Sequence, residues 1–349
     1  MKRYLLIAAL AIFTVLSCSR EEPAVQGGGE VTISFRTCGA YARSTVPGDG
    51  DPADGGGIYI SGGVPDLVIL IANSGGAIEG VYPGSGSILQ DDPSSTELSV
   101  TFSGLTTGTH TAYAFANMED CPWDLSTGGS PVTDLTGLTT AAQVEALQFG
   151  PFAANTAPEI ENGRMPLSGK GTFEVSGTGN GEVSLELLRC VAKISMEFVN
   201  NTGASLSLDD FDFALKNLCP DRGFAAPHTL PDLPAGITYG NVVKNVGDGT
   251  VLNASGTGSS VKYEFLVFPG VAVPRSRDYT LDVAFRANGA ASVKDYDDLP
   301  IHDNRAVDIV SLERNQHLHI VTKISMGLTV SFNFEVVPWK QMTEQVLFE

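Results

Sequence analysis

The chain has 349 residues, 39 of them glycine and 19 proline, an apolar fraction of 42% and a formal net charge of −19 at pH 7. So acidic a surface repels nucleic-acid phosphates and anionic membranes, which argues against both as partners, and it keeps an exported protein soluble. Glycine and proline at this level disfavour long helices, the apolar content suffices for packed cores, and the length exceeds what one core usually serves, so an all-β chain of two domains is expected.

The first residues, Met1-Lys2-Arg3, lead into an apolar run from Leu5 to Leu16 and then Ser17-Cys18. Charged, apolar and small-residue regions in that order predict a lipoprotein signal peptide over residues 1–17, too short to span a bilayer, with Cys18 as the lipid-bearing residue. Residues 18–29 run through Arg20-Glu21-Glu22-Pro23 to Gly27-Gly28-Gly29 and suit a flexible tether. Four further cysteines remain, Cys38, Cys121, Cys190 and Cys219. Export permits disulfides, and sequence leaves open both their pairing and the alternative of free buried thiols.

Strand patterns dominate the rest. Val31, Ile33 and Phe35 alternate with polar residues, as do Tyr279, Leu281, Val283 and Phe285, and Leu328, Val330, Phe332, Phe334 and Val336, which predicts half-buried strands. Leu67 to Ala72 and Phe265 to Phe268 are continuous apolar runs suited to strands covered on both faces. One short helix is expected near Thr139 to Leu147, with Thr139 or Thr140 capping its exposed amides. Glycine-rich turns lie at residues 47–57, 74–80, 176–181 and 247–258, and the third precedes a long strand-like stretch from Val183 to Phe198. A boundary there divides the chain into domains at 30–180 and 181–349, each long enough for a β-sandwich.

Chemistry-bearing constellations are sparse. His317 and His319, two apart, would share one strand face, but two ligands fall short of a zinc site, and solvent-facing strand histidines are expected. Asp49 to Gly55 has alternating carboxylates like a calcium loop, but Ala53 and Ile60 occupy ligand positions, leaving an acidic loop. Acidic clusters at Asp209, Asp210 and Asp212 and at Asp295, Asp297 and Asp298 allow a glycosidase pair only if two carboxylates face each other across a cleft. Trp123 or Trp339, if exposed, would offer a stacking platform for host or bacterial surface glycans. No catalytic residue, cofactor or metal is expected. Arg43, between the first alternating strand and an acidic glycine-rich loop, is either an ordinary surface arginine or a target for a trypsin-like protease. Cutting there would free the first strand, taken as a replaceable edge strand, and leave a groove for a strand from another subunit.

With the lipobox ending in Cys18, the segment Leu105-Thr106-Thr107-Gly108-Thr109-His110-Thr111-Ala112-Tyr113-Ala114-Phe115-Ala116-Asn117, then Arg164-Met165-Pro166-Leu167-Ser168-Gly169, Arg189-Cys190-Val191-Ala192-Lys193-Ile194, Glu313-Arg314-Asn315 and Val337-Pro338-Trp339, the chain resembles the fimbrillin families of Bacteroidales, the subunits of type V pili. The resemblance covers nearly the whole chain. It implies two transthyretin-like β-sandwich domains with few short helices, export as an outer-membrane lipoprotein through Cys18, and removal of the strand containing Val31, Ile33 and Phe35 by an arginine-specific protease that cuts at Arg43, with Arg36, at the strand end, as the second choice. It also implies a C-terminal donor strand bearing Val346 and Phe348, with other fimbrial subunits as partners and surface proteins or glycans as adhesive targets. The alternative function is a cell-surface glycan-binding lipoprotein.

Overall fold

The computed structural model describes residues 29–37, 42–43, 58–61, 64–84, 86–89, 98–119, 121, 123–159, 165–177, 180–256, 258–272, 277–302 and 307–339. Strands account for most of them, as the glycine, proline and alternating patterns predict. The helix is short, Ala141–Glu145 (α1), and Thr140 and Gln143 form a capping box at its start.

Eight strands build the first sandwich: β1 (Gly29–Thr37), β2 (Leu67–Asn73), β3 (Ile78–Tyr82), β4 (Gly86–Leu89), β5 (Ser99–Leu105), β6 (Gly108–Ala116), β7 (Leu167–Val175) and β8 (Asn180–Arg189). They form one sheet in the order β3-β2-β6-β7-β8-β1-β5-β4. Its seam is narrow, because β7 and β8 pair only through Leu167 with Arg189 and Ser168 with Leu188. The sheet therefore folds over on itself, and Val31, Ile33, Phe35, Ile69, Ile71, Val100, Phe102, Leu185 and Leu187 meet in one core between its halves. Leu67 to Ala72 is covered on both faces, as its continuous apolar run predicts. Leu67, Ile69 and Ile71 join this core, and Leu70 and Ala72 join a second cluster outside it.

The strand-like stretch from Val183 to Phe198 is not one strand. It breaks at Cys190-Val191 into β8 and β9 (Ala192–Asn201), which belong to different sheets. The glycine-rich segment 176–181 links β7 to β8 within the first sheet, so the expected division at 180/181 falls one residue inside β8, and sheet membership changes after Arg189. Beyond it lie β10 (Leu206–Pro220), β11 (Tyr239–Gly247), β12 (Thr250–Leu252), β13 (Ser260–Val267), β14 (Thr280–Ala287), β15 (Lys294–Pro300), β16 (Gln316–Ser325) and β17 (Val330–Pro338). One sheet runs β13-β9-β16-β17 and the other β11-β10-β14-β15, with β12 also on β10. Alternating residues such as Ile194, Phe198, Phe213, Leu281, Val283, Phe285 and Ile320 fill the space between them.

The outer side of β2 and β6 is not left to solvent. A small sheet of Leu125–Thr127, Ser130–Pro131, Leu147–Phe149 and Gly223–Phe224 covers it, and the last of these strands comes from the second half of the chain. Under it Phe115, Trp123, Phe149, Cys190, Phe268 and Trp339 belong to the same outer cluster as Leu70 and Ala72, which joins the two sandwiches.

Candidate functional site: the slot of the first strand and the clamp at the junction

β1 is not an edge strand. It lies inside its sheet, antiparallel to β5 and parallel to β8, with Val31, Ile33 and Phe35 at 1%, 0% and 2% exposure. In register, Val31 sits between Phe102 and Gly181, and Ile33 between Val100 and Val183. The expectation of an edge position fails because the chain closes its sandwich by bringing the late strand β8 alongside the first one. Burial of these three side chains contributes roughly 1.5–3 kcal/mol each. Thr32 and Ser34 face outward, and Thr32 Oγ1 lies 3.1 Å from Thr101 Oγ1.

Of the cleavage candidates, Arg36 lies within β1 and pairs in register with Glu186, whereas Arg43 belongs to a two-residue strand, Ala42–Arg43, parallel to Tyr59–Ser61. Cutting after Arg43 therefore leaves β1 whole, and cutting after Arg36 divides it. Cys18, Cys38, the loop at 49–55 and the donor candidates Val346 and Phe348 lie outside the described residues.

Four of the sequence segments that carried the resemblance, those with Ser168, Arg189, Arg314 and Trp339, meet at the junction of the sandwiches. Arg189 is fully buried, and its Nη1 donates to Asn315 Oδ1 at 2.7 Å and to the Trp339 carbonyl at 3.0 Å. Its guanidinium carbon lies 4.3 Å from the centre of the Trp339 ring. The Trp339 amide donates to the Asn315 carbonyl at 2.7 Å. Next to it, Arg314 donates to Ser168 Oγ at 2.7 Å, to the Leu188 carbonyl at 3.2 Å and to the Arg189 carbonyl at 3.3 Å. Two arginines, Arg189 fully buried and Arg314 partly so, thus hold the end of β8, the start of β7 and the end of β17 together, donating to carbonyls where the strands break off. Sequence reasoning quoted both arginines without giving them this role. The signal was an arginine set inside the apolar run Leu187-Leu188-Arg189-Cys190-Val191, which burial tolerates only with partners.

The segment Leu105 to Asn117, which crosses from β5 to β6, is pinned in a similar way. The Glu79 carboxylate is paired with His110 and accepts from the Thr106 amide at 3.0 Å, Thr106 Oγ1 at 2.9 Å and Asn73 Nδ2 at 3.3 Å. Burial pushes this carboxyl up, but the hydrogen bonds from His110, Thr106 and Asn73 prevail and hold it below its ordinary range.

The remaining candidates do not assemble into a site. His317 is not solvent-facing: it is 6% exposed, stacked on His319 at 5.7 Å, with its Nε2 2.7 Å from Ser195 Oγ. Trp123 and Trp339 are buried at 5% and 3% exposure, one edge-on to Phe149 at 5.2 Å and the other under Arg189, so neither is a stacking platform. The aspartates stand on the open outer face of β10, β14 and β15. There Arg286 pairs with Asp210 at 3.0 Å and Lys216 with Asp298 at 2.8 Å, and Asp212 and Asp295, both in register with Ala284, stand in one row on the same sheet face. Cys121, Cys190 and Cys219 are free thiols. Among the described residues no group of three or more histidine, cysteine or acidic side chains could hold a metal ion, and no helix is long and apolar enough to cross a membrane.

No family model matches the sequence, and no curated protein matches it. Solved structures do. The chain is similar to a fimbrilin from Porphyromonas gingivalis (TM-score 0.52, 15% identity, 90% of this chain and 99% of that one). It is similar to a tip fimbrial protein from the same organism, truncated at its C-terminus (0.51, 13%, 89% and 100%). A Bacteroides eggerthii protein classed with cell adhesion also matches (0.51, 12%, 89% and 96%). The chain therefore has, over nearly its full length, the all-β sandwich fold of Bacteroidales fimbrial and adhesion proteins.

Proposed function

We propose that this chain is a structural or adhesive subunit of a cell-surface fimbria, joined to its neighbours by exchange of β1 for a strand of another subunit. The observation that carries the proposal is the position of β1: an interior strand with three buried side chains at every second residue. Its removal would open a slot flanked on both sides by unsatisfied backbone groups and floored by the core, which only another extended strand can fill. The shared fold with fimbrial proteins supports the same function.

In this scheme Cys18 carries the lipid that brings the chain to the outer membrane, an arginine-specific protease cuts at Arg43, and a C-terminal segment with Val346 and Phe348 serves as donor to a neighbour. The glycan-binding alternative has no observation in its favour, since both tryptophans are buried. The test is mass spectrometry of the surface form from native cells. A mature start at Ser44 is the expected result, and a fully assembled form that still begins at a lipidated Cys18 would refute removal of β1.

A further inference from the structure

We infer that the β1 slot is graded in size along its length and takes a strand from a different kind of subunit, not the C-terminal segment of another copy of this chain. The inference rests on the proposal that β1 is replaceable.

The inward positions of β1 are Gly29, Val31, Ile33 and Phe35. At Gly29 a Cβ would stand 2.3 Å from Val175 Cγ1 and 3.0 Å from the Ser176 carbonyl oxygen, so the slot is shut to any side chain there. At Val31 the occupant is a small branched side chain, 1% exposed, and the neighbouring position on β8 is Gly181, where an added Cβ would stand at an ordinary contact distance of 3.4 Å from Val31 Cγ2. Ile33 fills the next position and the Phe35 ring the last, beside Leu185, each fully buried. The slot thus admits nothing, a small branched side chain, a larger one, and then a ring. Interiors are close-packed, so overfilling and underfilling both cost stability. An occupant must present these sizes in this order, which also fixes its direction as parallel to β8.

The C-terminal sequence Met342-Thr343-Glu344-Gln345-Val346-Leu347-Phe348 does not satisfy that order. Setting Val346 and Phe348 in the Ile33 and Phe35 positions places Glu344 at Val31 and Met342 at Gly29, a carboxylate in a dry core and a side chain where none fits. Reversing the segment sets Phe348 in the Ile33 position and Val346 in the Phe35 position, overfilling one and leaving a cavity at the other. The alternate face, Thr343, Gln345 and Leu347, offers a single apolar residue. The slot and residues 342–348 of one chain are therefore not mates. The partner is a subunit whose strand carries glycine, a small β-branched residue, a larger aliphatic residue and an aromatic one at every second position. The pair Val346 and Phe348 is left to serve a slot of another shape.

The test uses the full chain cut after Arg43, with β1 still bound, and scores release of the β1 fragment by three synthetic peptides. One has the sequence of residues 29–37, one the same sequence with Val31 and Phe35 exchanged, and one the sequence of residues 340–349. The first is expected to displace β1, and the other two to require at least about 100-fold higher concentration. A tail peptide within tenfold of the first overturns the choice of partner, and an exchanged peptide equal to the first overturns the size grading. Failure of all three at large excess shows instead that β1 is not replaceable, which refutes the proposed function and this inference with it. If cutting alone releases β1, the same peptides are ranked by the thermal stabilisation each gives the cut chain, with the same outcomes decisive.

Discussion

The guanidinium carbon of Arg189 lies over the indole of Trp339, 4.3 Å from the ring centre, although 150 residues separate them, and both residues are buried. Trp339→Ala removes the ring and leaves a cavity in the joining cluster, so a loss of about 3–5 kcal/mol in unfolding free energy is expected. Arg189→Lys does not restore the contact, because a lysine cannot donate to Asn315 and Trp339 from one planar fork while stacking on the ring. Urea denaturation of both variants checks this, with the lysine variant expected to fall well below the wild type.

The slot of β1 has its own signature. Phe35→Ala is expected to cost about 3–5 kcal/mol and Ile33→Val about 0.5–1.5 kcal/mol, whereas Thr32→Val, on the outer face, changes little. Gly29→Val forces a side chain against Val175 and is expected to destabilise despite adding apolar surface. Denaturant midpoints for the four variants give the order directly.

Acid is expected to weaken the second sandwich through His317. Burial, then the positive charges of Lys193, His319 and Lys262, pull its pKa down to about 4, despite the opposing Glu264 carboxylate. The folded value lies below the unfolded one, so the neutral ring stabilises the fold in full above about pH 6.5, and that contribution is lost as pH falls from there towards 4. His317→Gln removes this dependence. Stability measured at pH 7, 5.5 and 4 should fall less steeply for the variant than for the wild type; equal slopes would refute the assignment.

The thiols are expected to be inert in the native state. Burial pushes Cys121 and Cys219 up to about 12 and also raises Cys190, in spite of the nearby Arg314. Thiolate is the reactive form, so alkylation should be slower by at least about 100-fold than in denaturant. Mass spectrometry after timed alkylation reads each cysteine separately, and fast native labelling of Cys190 would show that the junction opens.

Alternation in the sequence located the core strands well because one buried face with period two leaves an unambiguous trace. Val31, Ile33 and Phe35 are buried as their spacing predicts, and so are Leu281, Val283 and Phe285. The break at Cys190-Val191 left no such trace. No glycine or proline marks it, and it is held from elsewhere, by the Cys190 amide donating to the Pro166 carbonyl at 2.9 Å and the Asn315 amide donating to the Val191 carbonyl at 2.9 Å. The interior place of β1 was equally hidden, since sheet order depends on which distant strand closes the sandwich. The burial of His317 escaped for a related reason: an outward strand position is normally wet, and here a stacked His319 and the hydroxyl of Ser195 occupy that side.

Among the described residues β17 is paired on one side only, with β16. Tension applied to the chain beyond Trp339 would tend to peel such a strand from its end, parting one rung at a time, the mode in which a sheet resists least. Arg189 stands at the first rung and is also the last residue of β8, the strand that lies alongside β1. The guanidinium of Arg189, bonded to the Trp339 carbonyl, ties the end of β17 to the end of β8, so peeling that starts at Trp339 must first break this contact.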